Sequence, residues 1–132
     1  MASNAVVHFE FPADDTKRMS KFYEHAFGWK MQETGPEMGG YVLVQTAETD
    51  GKGMVTQPGA INGGFYPRST DPMSHHPSVV IQVEDLKASI TKVKAAGGKT
   101  HGEVQTIPGV GEFISIIDTE GNRISMLQPM RR

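Results

Sequence analysis

The chain of 132 residues contains no cysteine. Disulfides, thiolate nucleophiles and cysteine-ligated metals are therefore excluded. An excess of basic charge is also missing. Thirteen Lys and Arg stand against 15 Asp and Glu, a formal net charge of −2, and no basic run occurs beyond Arg131-Arg132. A protein held to nucleic acid by phosphate contacts needs a Lys/Arg-rich face, so nucleic acid is not an expected partner. Long apolar runs are absent too. The longest, such as Val79-Val80-Ile81, are strand-sized, and no membrane span is expected. Met1-Ala2-Ser3-Asn4 shows no basic region followed by an apolar run, so no secretion signal is expected and the cytoplasm is the expected compartment.

What is present is globular and turn-rich: 37% hydrophobic and 21% charged residues, with 15 Gly and 8 Pro. The length suits one domain, 1–132. Two segments carry helical periodicity. After Asp14-Asp15 the apolar residues Met19, Phe22, Tyr23, Ala26 and Phe27 fall on one expected buried face, and Gly28 supplies a left-handed stop. After Asp85 the rhythm returns with Leu86, Ile90 and Val93 and ends at Gly97-Gly98. A β-type run precedes each helix: Val6 to Phe11, and Ser78 to Val83.

These are one unit written twice, at an offset of 70 residues (85 − 15). His8 then falls on Ser78 and Glu10 on Val80. Strand-like segments follow each helix: Trp29 to Gln32, Tyr41 to Thr46 and Ile61 to Tyr66 in the first half; Lys99 to Gln105, Glu112 to Ile117 and Arg123 to Gln128 in the second. Residues 67–77, with Pro67, Pro72 and Pro77, form a linker between a module at about 5–66 and another at about 78–130. The expected class is α+β: paired βαβββ modules forming an incomplete eight-stranded barrel with a central cleft, since neither half is large enough to be stable alone.

Several blocks resemble the vicinal oxygen chelate superfamily, which includes glyoxalase I, bleomycin-resistance proteins and extradiol dioxygenases. They are His8-Phe9-Glu10-Phe11-Pro12-Ala13-Asp14-Asp15, Phe22-Tyr23-Glu24-His25-Ala26-Phe27-Gly28-Trp29, Ala95-Ala96-Gly97-Gly98-Lys99 and Asp118-Thr119-Glu120-Gly121-Asn122-Arg123-Ile124. Ile61-Asn62-Gly63-Gly64 and Ile107-Pro108-Gly109-Val110-Gly111 look like its small single-chain branch.

The resemblance implies four cleft-facing metal ligands, and they match His8, Asn62, Ser78 and Ser125, with Asn62 nominated by aligning Ile61-Asn62 with Ile124-Ser125. A catalytic divalent ion usually takes three side chains from His, Glu, Asp or Cys, and only His8 qualifies here. No cofactor is therefore expected. A divalent metal stays open only through an atypical set of His8, Glu10 and His76.

A small organic molecule is the expected partner, in a cleft lined by His8, Glu10, Asn62, Ser78 and Ser125, with Tyr41, Phe65, Phe113 and Leu127 as candidate walls. Trp29 reads as core, and His25 and His101 as surface residues. His8 and Glu10 share a strand face, so they are also candidate catalytic groups. Glu10 is expected to raise the His8 pKa, which would suit proton transfer in a glyoxalase-type lyase or isomerase. Three functions remain open: a metal-free binding protein, such an enzyme, or a metabolite-sensing regulatory module. Family members often pair, and open sheet edges favour it, so a homodimer is expected.

Overall fold

A computed structural model describes residues 4–130. Met1 to Ser3, read above for a secretion signal, and the Arg131-Arg132 pair lie outside the described residues. The chain divides into two compact units. One is His8–Pro77, and the other joins residues 78–130 with residues 4–7. Among the described residues no helix is long and apolar enough to cross a membrane.

In the first unit β1 (Val6–Ala13), which enters it at His8, leads into α1 (Thr16–Phe27), followed by β2 (Lys30–Glu33), β3 (Val42–Gln45) and β4 (Asn62–Pro67). Strand order is β2-β3-β4-β1, antiparallel except for the parallel β1–β4 pair. In the second unit β5 (Ser78–Gln82) leads into α2 (Leu86–Ala95), then β6 (Lys99–Ile107), β7 (Gly111–Ile117) and β8 (Arg123–Pro129). The order there is β5-β8-β7-β6, with β5–β8 parallel. Each unit is the expected βαβββ, and the fold is α+β.

Both helices start as their sequences dictate. The Asp15 carboxylate accepts from the Arg18 N–H at 3.0 Å and the Asp85 carboxylate from the Ala88 N–H at 3.1 Å. Gly28, at φ 73°, closes α1 by donating its N–H to the Glu24 carbonyl. The Gln128 side chain accepts from the Leu86 N–H at 2.8 Å, a cap from a distant strand that no local motif announces.

Each helix covers one sheet face. Val42, Val44 and Phe65 are buried with Phe9, Phe11, Met19, Tyr23, Trp29 and Met31. In the other unit Val83, Leu86, Ile114, Ile116 and Met126 pack with Ile81, Ile90, Val93 and Ile124. Two expectations fail here. The face assigned to α1 is too wide: Phe22 and Phe27 are 58% and 64% exposed. Only the Met19–Tyr23 line, one turn apart, reaches the sheet. Phe22 instead meets Tyr23 edge-on, with ring centroids 5.0 Å apart. Phe65 is no cleft wall. It is fully buried among Phe11 and Tyr23 on the helix side, whereas Trp29 is core as expected, stacked 4.7 Å from Tyr23.

The linker between units folds on itself. A 3-10 turn at Pro72–His75 is capped by Asp71, the Ser69 and Ser74 hydroxyls bond at 3.0 Å, and His75 Nε2 meets the Ser69 carbonyl at 2.8 Å.

Candidate functional site

Strand alternation sorts β1 into two sets. Phe9 and Phe11 turn to the helix, so His8 and Glu10 face the other way. Parallel register sets His8 level with Asn62 and Glu10 level with Gly64, while β3 sets Leu43 opposite Gly64. Tyr41, the residue before β3, lays its ring across β4 at Gly64. A Cβ at that position would overlap the Tyr41 phenol, so only glycine leaves room. Gly63 does the same on the opposite face, where a Cβ would lie 2.5 Å from three atoms of the Phe9 ring. The Gly63-Gly64 pair therefore admits one aromatic ring on each face of a single strand.

Across that gap the Tyr41 hydroxyl reaches both candidate residues. It donates to Glu10 Oε2 at 3.2 Å and lies 2.8 Å from His8 Nε2. The phenol has one proton. Since it goes to the carboxylate, His8 Nε2 must carry the hydrogen that points at the Tyr41 oxygen. Nδ1 is then the imidazole acceptor, and it has no hydrogen-bond partner among the described residues.

Electrostatics fix the charge states. Burial lowers the His8 pKa to about 4, so the ring is neutral at pH 7. This reverses the expected upward shift: desolvation of the imidazolium outweighs a carboxylate whose oxygen is met by the tyrosine. Burial, and after it the Glu10 charge, push the Tyr41 pKa far above its usual value, so the phenol keeps its proton.

The other candidates are placed differently. Asn62 lies beside His8, but its Oδ1 accepts from the Thr46 N–H at 2.9 Å. It is also not the counterpart of Ser125. Glu10 pairs with Gly64 in one unit, and Val80, the residue 70 positions on, pairs with Ser125 in the other. The alignment that nominated Asn62 was two residues out of register. His76 is exposed in the linker, its carbonyl accepting from the Tyr66 hydroxyl at 3.1 Å, and it does not join His8 and Glu10. Among the described residues no three His, Asp or Glu side chains are grouped as a metal needs. One imidazole, two serine hydroxyls and a glycine at the four family positions do not fit a divalent ion.

In the second unit the face away from α2 carries Ser78 on β5, Arg123, Ser125 and Leu127 on β8, and Phe113 and Ser115 on β7. Phe113 pairs with Leu127, and Ser115 with both Ser125 and His101. Ser78 and Ser125 are buried, and the Ser125 and Ser115 hydroxyls are 3.1 Å apart. His25 is exposed as expected, but His101 is half-buried beside Ser115. Ser115, Arg123 and His101 were missed as site candidates. Strand alternation from Ser125 would have found Arg123, two residues away on β8, whereas Ser115 and His101 come beside it only through the pairing of β8 with β7 and of β7 with β6.

The Glyoxalase/Bleomycin resistance protein/Dioxygenase superfamily model matches residues 5–126, and the chain belongs to that superfamily. A glyoxylase-like domain-containing protein of Didymella fabae is 34% identical over 116 residues, 86% of this chain and 84% of that protein. A putative glyoxylase of Mycobacterium bovis is 34% identical over 67 residues, 51% of this chain but only 26% of that longer protein. Among solved structures, a hypothetical protein from Bacillus halodurans C-125 superposes with TM-score 0.70 at 15% identity, covering 99% of this chain and 98% of that one. Methylmalonyl-CoA epimerase from Mycobacterium tuberculosis gives TM-score 0.68 at 16% identity, covering 99% and 93%. At these identities the structural likeness is one of fold.

Proposed function

We propose that this chain binds a small, partly polar organic molecule without a divalent metal, on the sheet face that carries His8, Glu10 and Tyr41. The observation that carries this reading is the state of His8: a neutral, largely buried imidazole, held at Nε2 by Tyr41, with Nδ1 left as an acceptor. Such a group recognises a hydroxyl or N–H of a ligand. Hydroxyacetone is a suitable probe. EDTA-treated protein should still bind it, with perturbation of the His8 ring resonances, and His8→Phe should weaken binding by about tenfold, the value of one hydrogen bond to a buried acceptor. Loss of binding on EDTA treatment, or equal binding by His8→Phe, overturns the proposal.

A second reading is an isomerase that moves a proton next to a carbonyl; proteins named methylmalonyl-CoA epimerase are among the solved structures of similar fold. What favours it is the Glu10–Tyr41–His8 chain of hydrogen bonds, which links an acid and a base on one face. Against it, an imidazole with a pKa of about 4 is a weak base for abstracting a carbon-bound proton. The same samples in D2O separate the two. Binding alone leaves the α-carbon protons of hydroxyacetone unexchanged, whereas exchange abolished by His8→Ala supports the isomerase.

We also propose a cytoplasmic homodimer. Among the described residues β6 hydrogen-bonds on one side only, to β7, is nine residues long and is largely exposed, a strand edge suited to a second copy. Sedimentation should give about twice the mass of one chain, the commonest closed assembly. A single-chain mass refutes pairing.

A further inference from the structure

The face of the second unit turned away from α2 holds a buried polar group with no partner. Ser78 is 8% exposed, and its hydroxyl has no hydrogen-bond partner among the described residues. A buried hydroxyl left unpaired is costly, so native structures rarely keep one without a purpose. It is not isolated. Ser125, fully buried, shares a single hydrogen bond with Ser115. One proton makes that bond, which leaves the other hydroxyl's proton available to a further acceptor. Three serines on β5, β8 and β7 thus offer at least two O–H donors on one face.

The register supplies the rest. Val80 is level with Ser125, so two residues back along the parallel pair Ser78 is level with Arg123. With strands about 4.8 Å apart and a rise of about 3.3 Å per residue, Ser78 and Ser125 stand on the order of 8 Å apart on the diagonal. A carboxylate spans that gap, since each oxygen can accept one O–H bond of about 2.8 Å. Ser78, Val80 and Gln82 of β5, Arg123, Ser125 and Leu127 of β8, and Phe113, Ser115 and Ile117 of β7 include no acidic side chain, and Arg123 adds positive charge. Val80, Leu127 and Phe113 supply an apolar border to the serines. A carboxylate attached to a short apolar body matches this surface, and an ammonium group does not.

We propose that Ser78, Ser115 and Ser125, with Arg123 alongside, form a carboxylate-binding subsite. This subsite lies wholly within the second unit and goes beyond the binding role proposed above for His8. Propionate and its neutral isostere propionamide test it, followed by the backbone amide resonances of β5 and β8 in the intact chain. Propionate should perturb those strands at least about tenfold more tightly than propionamide, the difference expected of a charge-assisted contact. Ser78→Ala and Arg123→Gln should each lose about that factor, while Ser78→Thr, which keeps the hydroxyl, should retain binding. Equal affinity for propionate in wild type and Ser78→Ala, or no preference over propionamide, overturns the subsite. Hydroxyacetone, read at His8 in the same variants, keeps the two proposals apart. If it still binds while propionate does not, the subsite alone is wrong; if neither binds, both readings fall.

Discussion

Gly64→Ala is expected to cost about 1–3 kcal/mol of stability, the range for overpacking a filled site, and to abolish the contact between Tyr41 and its two partners. The added methyl overlaps the Tyr41 ring and hydroxyl, and the neighbour is a rigid aromatic, not the far end of a flexible chain. The ring must leave β4. His8 Nε2 then loses its partner and the Glu10 carboxylate loses a donor, each on a largely buried residue. Hydroxyacetone binding at His8 should fall by about tenfold or more, because the imidazole is no longer held in one tautomer. Denaturant unfolding of Gly64→Ala, Tyr41→Ala and the double variant checks the cause. With the ring gone, the methyl at 64 has nothing to strike, so it should cost much less in the Tyr41→Ala background. Strictly additive costs would show that Gly64 is required for another reason.

The second large effect is acid sensitivity traceable to one ring. His8 titrates at about 4 in the folded chain against an ordinary value of 6.5 for a solvated imidazole, so the unfolded chain binds a proton there first. Its contribution is complete above pH 6.5 and is lost as pH falls from about 6.5 through about 4. The full span is worth about 3 kcal/mol, at about 1.4 kcal/mol per pKa unit. Unfolding free energies at pH 7 and pH 4 should therefore differ by about that much more in wild type than in His8→Gln, which keeps a polar side chain but cannot titrate. An NMR titration of His8 with a midpoint near 6.5, or parallel pH profiles for the two proteins, would refute the burial argument. Hydroxyacetone binding should hold down to about pH 5 and weaken only as pH falls through about 4, where protonation at Nδ1 of the folded chain removes the acceptor.

Both predictions turn on residues that one-dimensional patterns reached only in part. Asp15, Gly28 and Asp85 mark their helix boundaries because capping is local: each satisfies backbone groups within four residues of itself. Alternation in β1 put His8 and Glu10 together because strand periodicity is equally local. Pairing register is not. Asn62 was aligned with Ser125 by matching neighbours in sequence, yet Gly64 occupies that position, because register is set by how two distant strands meet. Phe65 and Tyr41 show the same limit. Both are aromatic and both lie near strand ends, but Phe65 fills the helix-side core while Tyr41 crosses to the opposite face through a gap left by a missing side chain.

By itself the sequence determined the repeated βαβββ order, the helix ends, the absence of cysteine chemistry and the poverty of metal donors, since each follows from residue identity and short-range geometry. Only the tertiary structure decided that Tyr41 stands between His8 and Glu10, that burial leaves His8 neutral, that Val80 comes level with Ser125, and that Ser78 is buried with an unpartnered hydroxyl. Those outcomes depend on strand register and on desolvation. Both are created by chain segments tens of residues apart, and neither is written in any one of them.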